Sequence, residues 1–204
     1  MGEHRRCLFL DMGKVLIDFD LKKFAVRMQV LAAAGPEQLR AALMDDGLVP
    51  RFESGAVTEE DFCEEVCRRL KCRISQEDLA SAWNSIFMPD PVIAEEVIAT
   101  LARRLPLWAI SNTNPIHFRH IRERFAFLRH FRGFVLSYEV GAPKPDRRIF
   151  LAALDRAGAE PGEAVFVDDQ EIHVEAAAAM GIDAFRFLNP YHFLAELQLR
   201  GIID

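Results

Sequence analysis

The chain lacks three features that would place it in other classes of protein. It has no excess of positive charge, because 25 lysine and arginine residues stand against 31 acidic residues, for a formal net charge of −6. It has no uninterrupted apolar run near the roughly 20 residues that span a membrane. Its four cysteines have no suitably spaced histidines, so no zinc site is expected. We therefore expect neither nucleic acid nor a membrane as the partner.

The start of the chain also lacks the pattern of a signal peptide. Residues 1–6 lead directly into a strand-like run, without the apolar core of a secretory leader. This start, together with cysteines best explained as reduced thiols, predicts a cytoplasmic protein. The 204 residues suffice for one large domain or for a domain that carries an insert.

Strand-like and helical patterns alternate over the second half of the chain. Such repeated strand–helix units are typical of a parallel sheet with right-handed crossovers. The predicted strands cover residues 7–11, 107–111, 133–137, 164–169 and 183–187, and the helices between and after the later strands cover 115–128, 146–157, 171–180 and 191–200. The sequence therefore predicts an α/β fold with a Rossmann-like parallel-sheet core.

The segment between the first two predicted strands interrupts this alternation. Residues 21–87 show helical patterns and no convincing strand, and helix starts are marked at Thr58 and Ser75 by an acidic residue three positions later. A proline-rich stretch follows at 88–91, and a helix over 92–104 leads to the second strand. We predict an inserted all-helical cap domain over 18–91 and a core domain formed by 1–17 and 92–204.

Two of the predicted strands end in aspartate. Asp11 follows the first strand, and Asp168-Asp169 follows a later one that lies 157 residues further along. In an open parallel sheet, ligands bind at the carboxyl ends of the strands, so these three side chains are expected to meet in one cleft. Carboxylates that crowd together repel one another unless a cation lies among them. The pattern predicts a Mg²⁺ site beside a carboxylate nucleophile.

Polar residues at the same edge suit phosphoryl transfer. Ser111 and Asn112 follow the second strand. Lys144 lies between two prolines, just before a helix. A hydroxyl and a backbone N–H at the Ser111–Asn112 turn would hold phosphate oxygens, and Lys144 would add a fixed positive charge. Once the negative charge of the phosphate oxygens is neutralised, Asp11 would attack phosphorus. The product would be an aspartyl-phosphate, which water later hydrolyses.

These segments, in this order, resemble the haloacid dehalogenase superfamily over nearly the whole chain. The resemblance rests on Asp11-Met12-Gly13-Lys14-Val15, Ser111-Asn112, Lys144 and Asp168-Asp169. It implies a hydrolase with a helical cap. The roles that it implies are catalysis by Asp11 and Lys144, phosphate binding by Ser111, Asn112 and Lys144, and metal binding by Asp11, Asp169, the Gly13 carbonyl and, nearby or through water, Asp168.

Gly13 departs from the usual pattern of the family. Most of its phosphatases carry a second aspartate at this position, which protonates the leaving alcohol and then activates water. General acid–base catalysis is worth roughly 10²–10⁴ in rate, so the loss is serious. The motif is similar to that of a bacterial subgroup that includes a glucose-1-phosphate phosphatase. An anomeric phosphate has a less basic leaving oxygen, and we hypothesise that such a substrate needs the acid less.

Two further positions and one short segment have roles that the sequence leaves open. His173 stands four residues after Asp169, where the family often has Asn or Asp, and it can bond Asp168 or a phosphate-bound water, or else point elsewhere on the helix. Lys14 can reach the leaving group or pair with a nearby acid. Residues 51–53 of the predicted cap are candidates for contact with the part of the substrate that carries no phosphate.

The preferred interpretation is a Mg²⁺-dependent phosphatase of small phosphorylated metabolites, with sugar phosphates such as glucose 1-phosphate among the candidate substrates, acting as a monomer or homodimer. One alternative is a haloacid dehalogenase-type hydrolase, because carbon–halogen cleavage needs no proton on the leaving group. Retention of Asp168-Asp169 argues against it, since those relatives generally need no metal. The other alternative is a non-catalytic protein that binds a phosphometabolite, which the missing acid at Gly13 would allow.

Overall fold

A computed structural model describes residues 5–204. Residues 1–4, on which the expectation about the start of the chain partly rests, lie outside the described residues. The strands are β1 (Cys7–Leu10), β2 (Ile17–Phe19), β3 (Phe87–Pro91), β4 (Leu107–Ser111), β5 (Phe131–Leu136), β6 (Ala164–Asp168) and β7 (Asp183–Arg186). The helices are α1 (Leu21–Ala32), α2 (Pro36–Leu43), α3 (Leu48–Glu53), α4 (Glu59–Leu70), α5 (Gln76–Asn84), α6 (Glu95–Arg104), α7 (Pro115–Arg124), α8 (Ser137–Val140), α9 (Arg147–Ala157), α10 (Glu171–Ala178) and α11 (Pro190–Leu199).

The predicted α/β core is confirmed as a five-stranded parallel sheet in the order β5-β4-β1-β6-β7. From β1 the chain first builds one half of the sheet with β4 and β5, and then returns to add β6 and β7 on the other side. The strand order therefore reverses at β1, and clefts for ligands form at such switch points. None of the helices within residues 5–204 is long and apolar enough to cross a membrane.

Alternation of side chains along β1 explains why the sheet is covered on both faces. Leu8 and Leu10 pack into one apolar cluster, whereas Cys7 and Phe9 pack into another on the opposite face. All four are fully buried, as expected for a central parallel strand between two layers of helices.

The helices between β2 and β3 bury an apolar cluster of their own. Thr58 and Ser75 cap α4 and α5 through their side-chain oxygens, as the sequence predicts. Phe52 and Phe62 stack in this cluster with ring centroids 4.2 Å apart, and Ile116 of α7 joins it from the core side. A separate apolar cluster supports our proposal of a cap over 18–91.

Several elements differ from the expectation, among them the short helix α8. Residues 17–19 and 87–91 form an antiparallel two-stranded ribbon, although no strand was predicted there. A three-residue strand is too short to show a pattern, and prolines argue against a strand except at an edge such as this one. The expected helix over 115–128 ends at Arg124 and continues as the 3₁₀ turn Ala126–His130, and α3 was not predicted at all.

Candidate active site

The sheet brings the predicted acids together because β1 lies between β4 and β6. Asp11 directly follows β1, and its backbone N–H donates to the Val167 carbonyl at 2.9 Å. Asp168 is the last residue of β6, and Ser111 is the last residue of β4. Three strand ends therefore place polar side chains around one point, although their sequence positions are far apart.

Lys144 lies at the centre of this cluster. Its Nζ contacts Asp11 Oδ1 at 2.7 Å and Asp168 Oδ2 at 2.6 Å, and it donates to the Ile110 carbonyl at 3.1 Å. Burial alone would lower the pKa of this ammonium, but Asp11 and Asp168 together raise it. Lys144 is therefore a buried, fixed positive charge between two carboxylates.

Asn112 determines where Lys144 lies. The Asn112 side chain accepts from the Lys144 backbone N–H at 2.7 Å and donates to the Lys144 carbonyl at 2.9 Å. The side chain thus holds the loop that carries Lys144, so the predicted contact of Asn112 with a phosphate would have to come from its backbone N–H. Ser111 is buried beside it, with a long 3.5 Å contact from its hydroxyl to the Asn112 carbonyl.

Both carboxylate oxygens of Asp168 are occupied by protein groups. Oδ2 accepts from Lys144, while Oδ1 accepts from the Gln170 backbone N–H at 2.9 Å and lies 3.0 Å from His173 Nδ1. Burial would raise the pKa of Asp168, but Lys144 and His173 hold it low, at about 2. Of the alternatives for His173, the structure shows the contact with Asp168.

Asp11, Asp168 and Asp169 can present oxygens that all lie within 4.8 Å of one another. Burial raises the pKa of Asp11 although Lys144 opposes it, and burial together with Asp168 raises that of Asp169. The excess of carboxylate over Lys144 would be relieved by a cation, and a set of hard oxygen donors fits Mg²⁺. Asp11 and the half-buried Asp169 are the members available for direct contact.

The turn after Asp11 places Gly13 and Lys14 in different surroundings. The Gly13 carbonyl accepts from the Val15 N–H at 2.7 Å, and its second lone pair remains for a ligand. Lys14 Nζ contacts Asp18 Oδ1 at 2.5 Å and donates to the Phe19 carbonyl at 2.7 Å. Of the two alternatives for Lys14, the structure thus shows the pair with a nearby acid.

A small apolar cavity of about 90 Å³ adjoins this turn. Its lining includes Gly13, Phe19, Phe87, Ser111 and His117. His117 Nδ1 lies 3.0 Å from Asn84 Oδ1, and burial lowers the pKa of His117 to about 3. The imidazole is therefore neutral near pH 7. Larger hollows on the cap surface, of about 430 and 530 Å³, lie away from the acidic cluster.

Ser137 joins the cap to the site and was not predicted. Its hydroxyl accepts from the Thr113 N–H at 2.9 Å and donates to the Glu53 carbonyl at 2.5 Å. Like Ser111, Ser137 follows a buried strand at the carboxyl edge, and that signal would have identified it. Burial raises the pKa of Glu53 to about 7. Phe52, a candidate for substrate contact, instead lies wholly inside the cap cluster.

Known proteins share both the sequence pattern and the fold. Residues 6–181 match a family model described as haloacid dehalogenase-like hydrolase. The chain is 22% identical to D-ribitol-5-phosphate phosphatase of Bacteroides thetaiotaomicron over 93% of this chain and 95% of that protein. It is 29% identical to mouse acyl-CoA dehydrogenase family member 10 over 76% of this chain, but it spans only 15% of that protein's length.

Solved structures give the same result. A HAD family enzyme from Bacteroides thetaiotaomicron superposes with a TM-score of 0.85 at 26% identity, covering 94% of this chain and 98% of that one. A second structure of that enzyme, described as a complex with magnesium and inorganic phosphate, gives a TM-score of 0.81 at 26% identity, with 91% and 95% covered.

Proposed function

This chain belongs to the haloacid dehalogenase-like hydrolase family, and we propose that it is a Mg²⁺-dependent phosphatase of small phosphorylated metabolites. The observation that carries the proposal is the cluster formed by Asp11, Lys144, Asp168 and Asp169 at the switch point of the sheet. One buried ammonium lies among three carboxylates, so the cluster retains an excess of negative charge that a divalent cation would balance.

The metal would be held by Asp11, Asp169 and the Gly13 carbonyl, with Asp168 nearby. When bound, Mg²⁺ supplies positive charge that offsets the phosphate oxygens and lets an anionic nucleophile approach. Asp168 is held by Lys144 and His173 and so fixes the position of the lysine. The family resemblance implies this set of ligands, and the protein partners on both oxygens of Asp168 support a less direct role for that residue.

Asp11 is the proposed nucleophile. Its Oδ1 is engaged by Lys144 and by the Met12 N–H at 2.7 Å, which fixes the orientation of the carboxylate. Attack on phosphorus would give an aspartyl-phosphate on Asp11, and water would then release inorganic phosphate. Lys144, the Ser111 hydroxyl and the Asn112 N–H would hold the phosphate oxygens during both steps.

The proposed substrates are phosphorylated metabolites of small size, such as sugar phosphates including glucose 1-phosphate. The relative that aligns over 95% of its length is a phosphatase of a phosphorylated sugar alcohol. The cavity beside Gly13 holds about 90 Å³, which suits part of a small molecule and not a large one. The chain is proposed to act as a monomer or homodimer.

Phosphate release from a panel of phosphorylated metabolites, with and without Mg²⁺, tests the proposal. We expect Mg²⁺-dependent release by the wild type and none by Asp11→Asn. Asp155→Asn makes the same change on the exposed surface of α9 and is the matched control, which should retain activity. Circular dichroism of each variant separates loss of chemistry from loss of folding.

Other outcomes would favour the alternatives. Chloride release from a 2-haloacid without Mg²⁺ would indicate a dehalogenase. Binding of Mg²⁺ and inorganic phosphate by a folded protein that turns over no member of a broad panel would indicate a non-catalytic binding protein. Release of phosphate that persists in Asp11→Asn would contradict the assigned nucleophile.

A further inference from the structure

We propose that the Phe19 ring occupies the place of the acid that Gly13 lacks, so that this enzyme cleaves phosphates whose leaving oxygen is weakly basic and departs without a proton from a side chain. The inference rests on the proposed phosphatase function. Phe19 would then be a specificity-determining residue, because its ring fills the space that the absence of a side chain at Gly13 leaves.

The contact between Gly13 and Phe19 is steric. A Cβ atom added to Gly13 would lie 3.1 Å from Phe19 Cε1, closer than most real carbon contacts. A side chain at this position would therefore need the Phe19 ring to give by a few tenths of an ångström. The aspartate found at this position in most phosphatases of the family would crowd the ring in this chain.

Neighbouring groups hold the Phe19 ring in position. Phe19 pairs with Phe87 across the ribbon of β2 and β3. Lys14 Nζ lies 4.5 Å from the centroid of the Phe19 ring and is also bonded to Asp18 and to the Phe19 carbonyl. The same ammonium thus anchors both the backbone and the ring of Phe19, and it is engaged away from the Asp11 carboxylate.

The cavity next to Gly13 offers no replacement acid. Among the described residues that line it, His117 is the only titratable one. If Nδ1–H donates to Asn84 Oδ1, a neutral His117 has no proton on its other ring nitrogen. Since burial lowers the pKa of His117 to about 3, the ring does not gain that proton near pH 7.

The chemistry balances without a side-chain acid. The Asp11 carboxylate attacks phosphorus, the bond from phosphorus to the leaving oxygen breaks, and its electron pair stays on that oxygen, which takes a proton from solvent water. Water then attacks the phosphorus of the aspartyl-phosphate, the bond to Asp11 breaks, and the proton passes to solvent. The first step is fast only if the leaving oxygen is a weak base, as in phosphates of phenols, enols or anomeric hydroxyls.

The wild type can be tested with a series of phosphate monoesters of differing leaving-group pKa. From the most acidic phenol to a primary alcohol such as ribitol 5-phosphate, we expect kcat/KM to fall by about 10²-fold or more, the amount an acid would have supplied. The ratio kcat/KM reports steps up to departure of the leaving group. A flat dependence, or faster cleavage of primary-alcohol phosphates than of anomeric ones, would overturn the inference.

A pair of double variants tests whether an acid at residue 13 is the group that the site lacks. Gly13→Asp with Phe19→Ala restores both the acid and the space for it, and Gly13→Asn with Phe19→Ala has the same shape without the proton. We expect the aspartate variant to hydrolyse primary-alcohol phosphates up to about 10²-fold faster than the asparagine variant, and the two to differ little on acidic phenols. Equal rates on all substrates would contradict the inference.

Glu53 is the competing acid, because it is the last residue of α3, its backbone carbonyl accepts from the Ser137 hydroxyl, and burial raises its pKa. If Glu53→Gln steepens the dependence on leaving-group pKa, Glu53 is the acid and the inference is wrong. If Glu53→Gln leaves the dependence of kcat/KM on leaving-group pKa unchanged, the inference is supported. Mg²⁺-dependent turnover with a flat slope would reject the inference alone, whereas absence of turnover on every substrate would reject the phosphatase function as well.

Discussion

Asp11 separates two regions of the site that are built from opposite kinds of side chain. On one side Lys144, Asp168 and Asn112 are charged or polar, and each is bonded to at least one other protein group. On the other side Gly13 and Phe19 border a cavity that is mainly apolar. We propose that the first region binds the phosphate, whereas the described residues that line the cavity of the second include no Asp, Glu, Lys or Arg that could pair with a charged leaving group.

This difference follows from how each region is positioned. The polar side comes from the ends of β1, β4 and β6, and the register of a parallel sheet fixes those ends relative to one another. The apolar side comes from the β2–β3 ribbon and from α7, which lie outside the sheet. We therefore propose that the sheet edge carries the chemistry common to many substrates, and that the contacts between cap and core determine selectivity.

Loss of the Lys144 charge should have the largest effect on kcat and on stability, because Lys144 lies at the centre of the polar side. Lys144→Ala leaves Asp11 and Asp168 as buried carboxylates without their cation. We expect kcat to fall by about 10²–10³-fold and, without metal, the free energy of unfolding to fall by about 3 kcal/mol. Urea denaturation with and without Mg²⁺ measures the second effect, which Mg²⁺ should reduce. Unchanged kcat would contradict the role of Lys144.

A substitution at His173 tests the same polar region and should have a smaller effect. His173→Ala removes the partner of Asp168 Oδ1, and we expect Mg²⁺ affinity to weaken about 10-fold or more, the usual effect of losing a residue that orients a metal-site carboxylate. Calorimetric titration with Mg²⁺ measures this without any turnover. His173→Asn, which keeps a donor, should lose less. Equal affinities for all three proteins would show that His173 has no such role.

The pH dependence of the free energy of unfolding tests the burial of His117 on the apolar side. Its pKa is lowered from 6.5 to about 3, so the unfolded chain binds the proton first and stability falls as pH drops from 6.5 towards 3. At pH 5 the loss from this group is about 2 kcal/mol. Urea unfolding at pH 7 and pH 5 should show that His117→Asn loses about 2 kcal/mol less than the wild type. Parallel losses would mean that His117 is not buried as a neutral ring.

Ser137 links the cap to the site, and its loss should have the smallest effect. Ser137→Ala leaves the buried Thr113 N–H without its acceptor and releases the Glu53 carbonyl. We expect the free energy of unfolding to fall by about 1 kcal/mol. Ser54→Ala removes a hydroxyl that bonds only within its own cap turn and serves as the control. A larger loss in the control than in Ser137→Ala would contradict the link.

The polar side could be predicted from the sequence because its signals are local. Asp11, Ser111 and Asp168 each end a buried apolar run, and a parallel sheet brings such ends together. The strand boundaries agree with the expectation within two residues, because buried parallel strands are continuous apolar runs. The roles assigned to these side chains remain predictions.

The apolar side could not be predicted, because it depends on contacts without a local signal. Nothing near Gly13 in the sequence shows that Phe19 lies against it, since that contact follows from the turn at Lys14, which has a left-handed φ of 59°. The prolines in Phe87–Pro91 argue against a strand that the fold nevertheless forms as an edge. The bonds from Asn112 to the Lys144 backbone likewise need the tertiary structure.

Rapid-quench mass spectrometry with an activated aryl phosphate tests the central claim most directly. In most phosphatases of the family, the aspartate that Gly13 replaces activates the water that hydrolyses the intermediate. Without it, the phosphoryl-enzyme should accumulate in a burst. We predict a phosphoryl group on the peptide that contains Asp11, formed only with Mg²⁺ and absent in Asp11→Asn. Turnover with the phosphoryl group on another residue, or with no adduct at any time, would contradict the account.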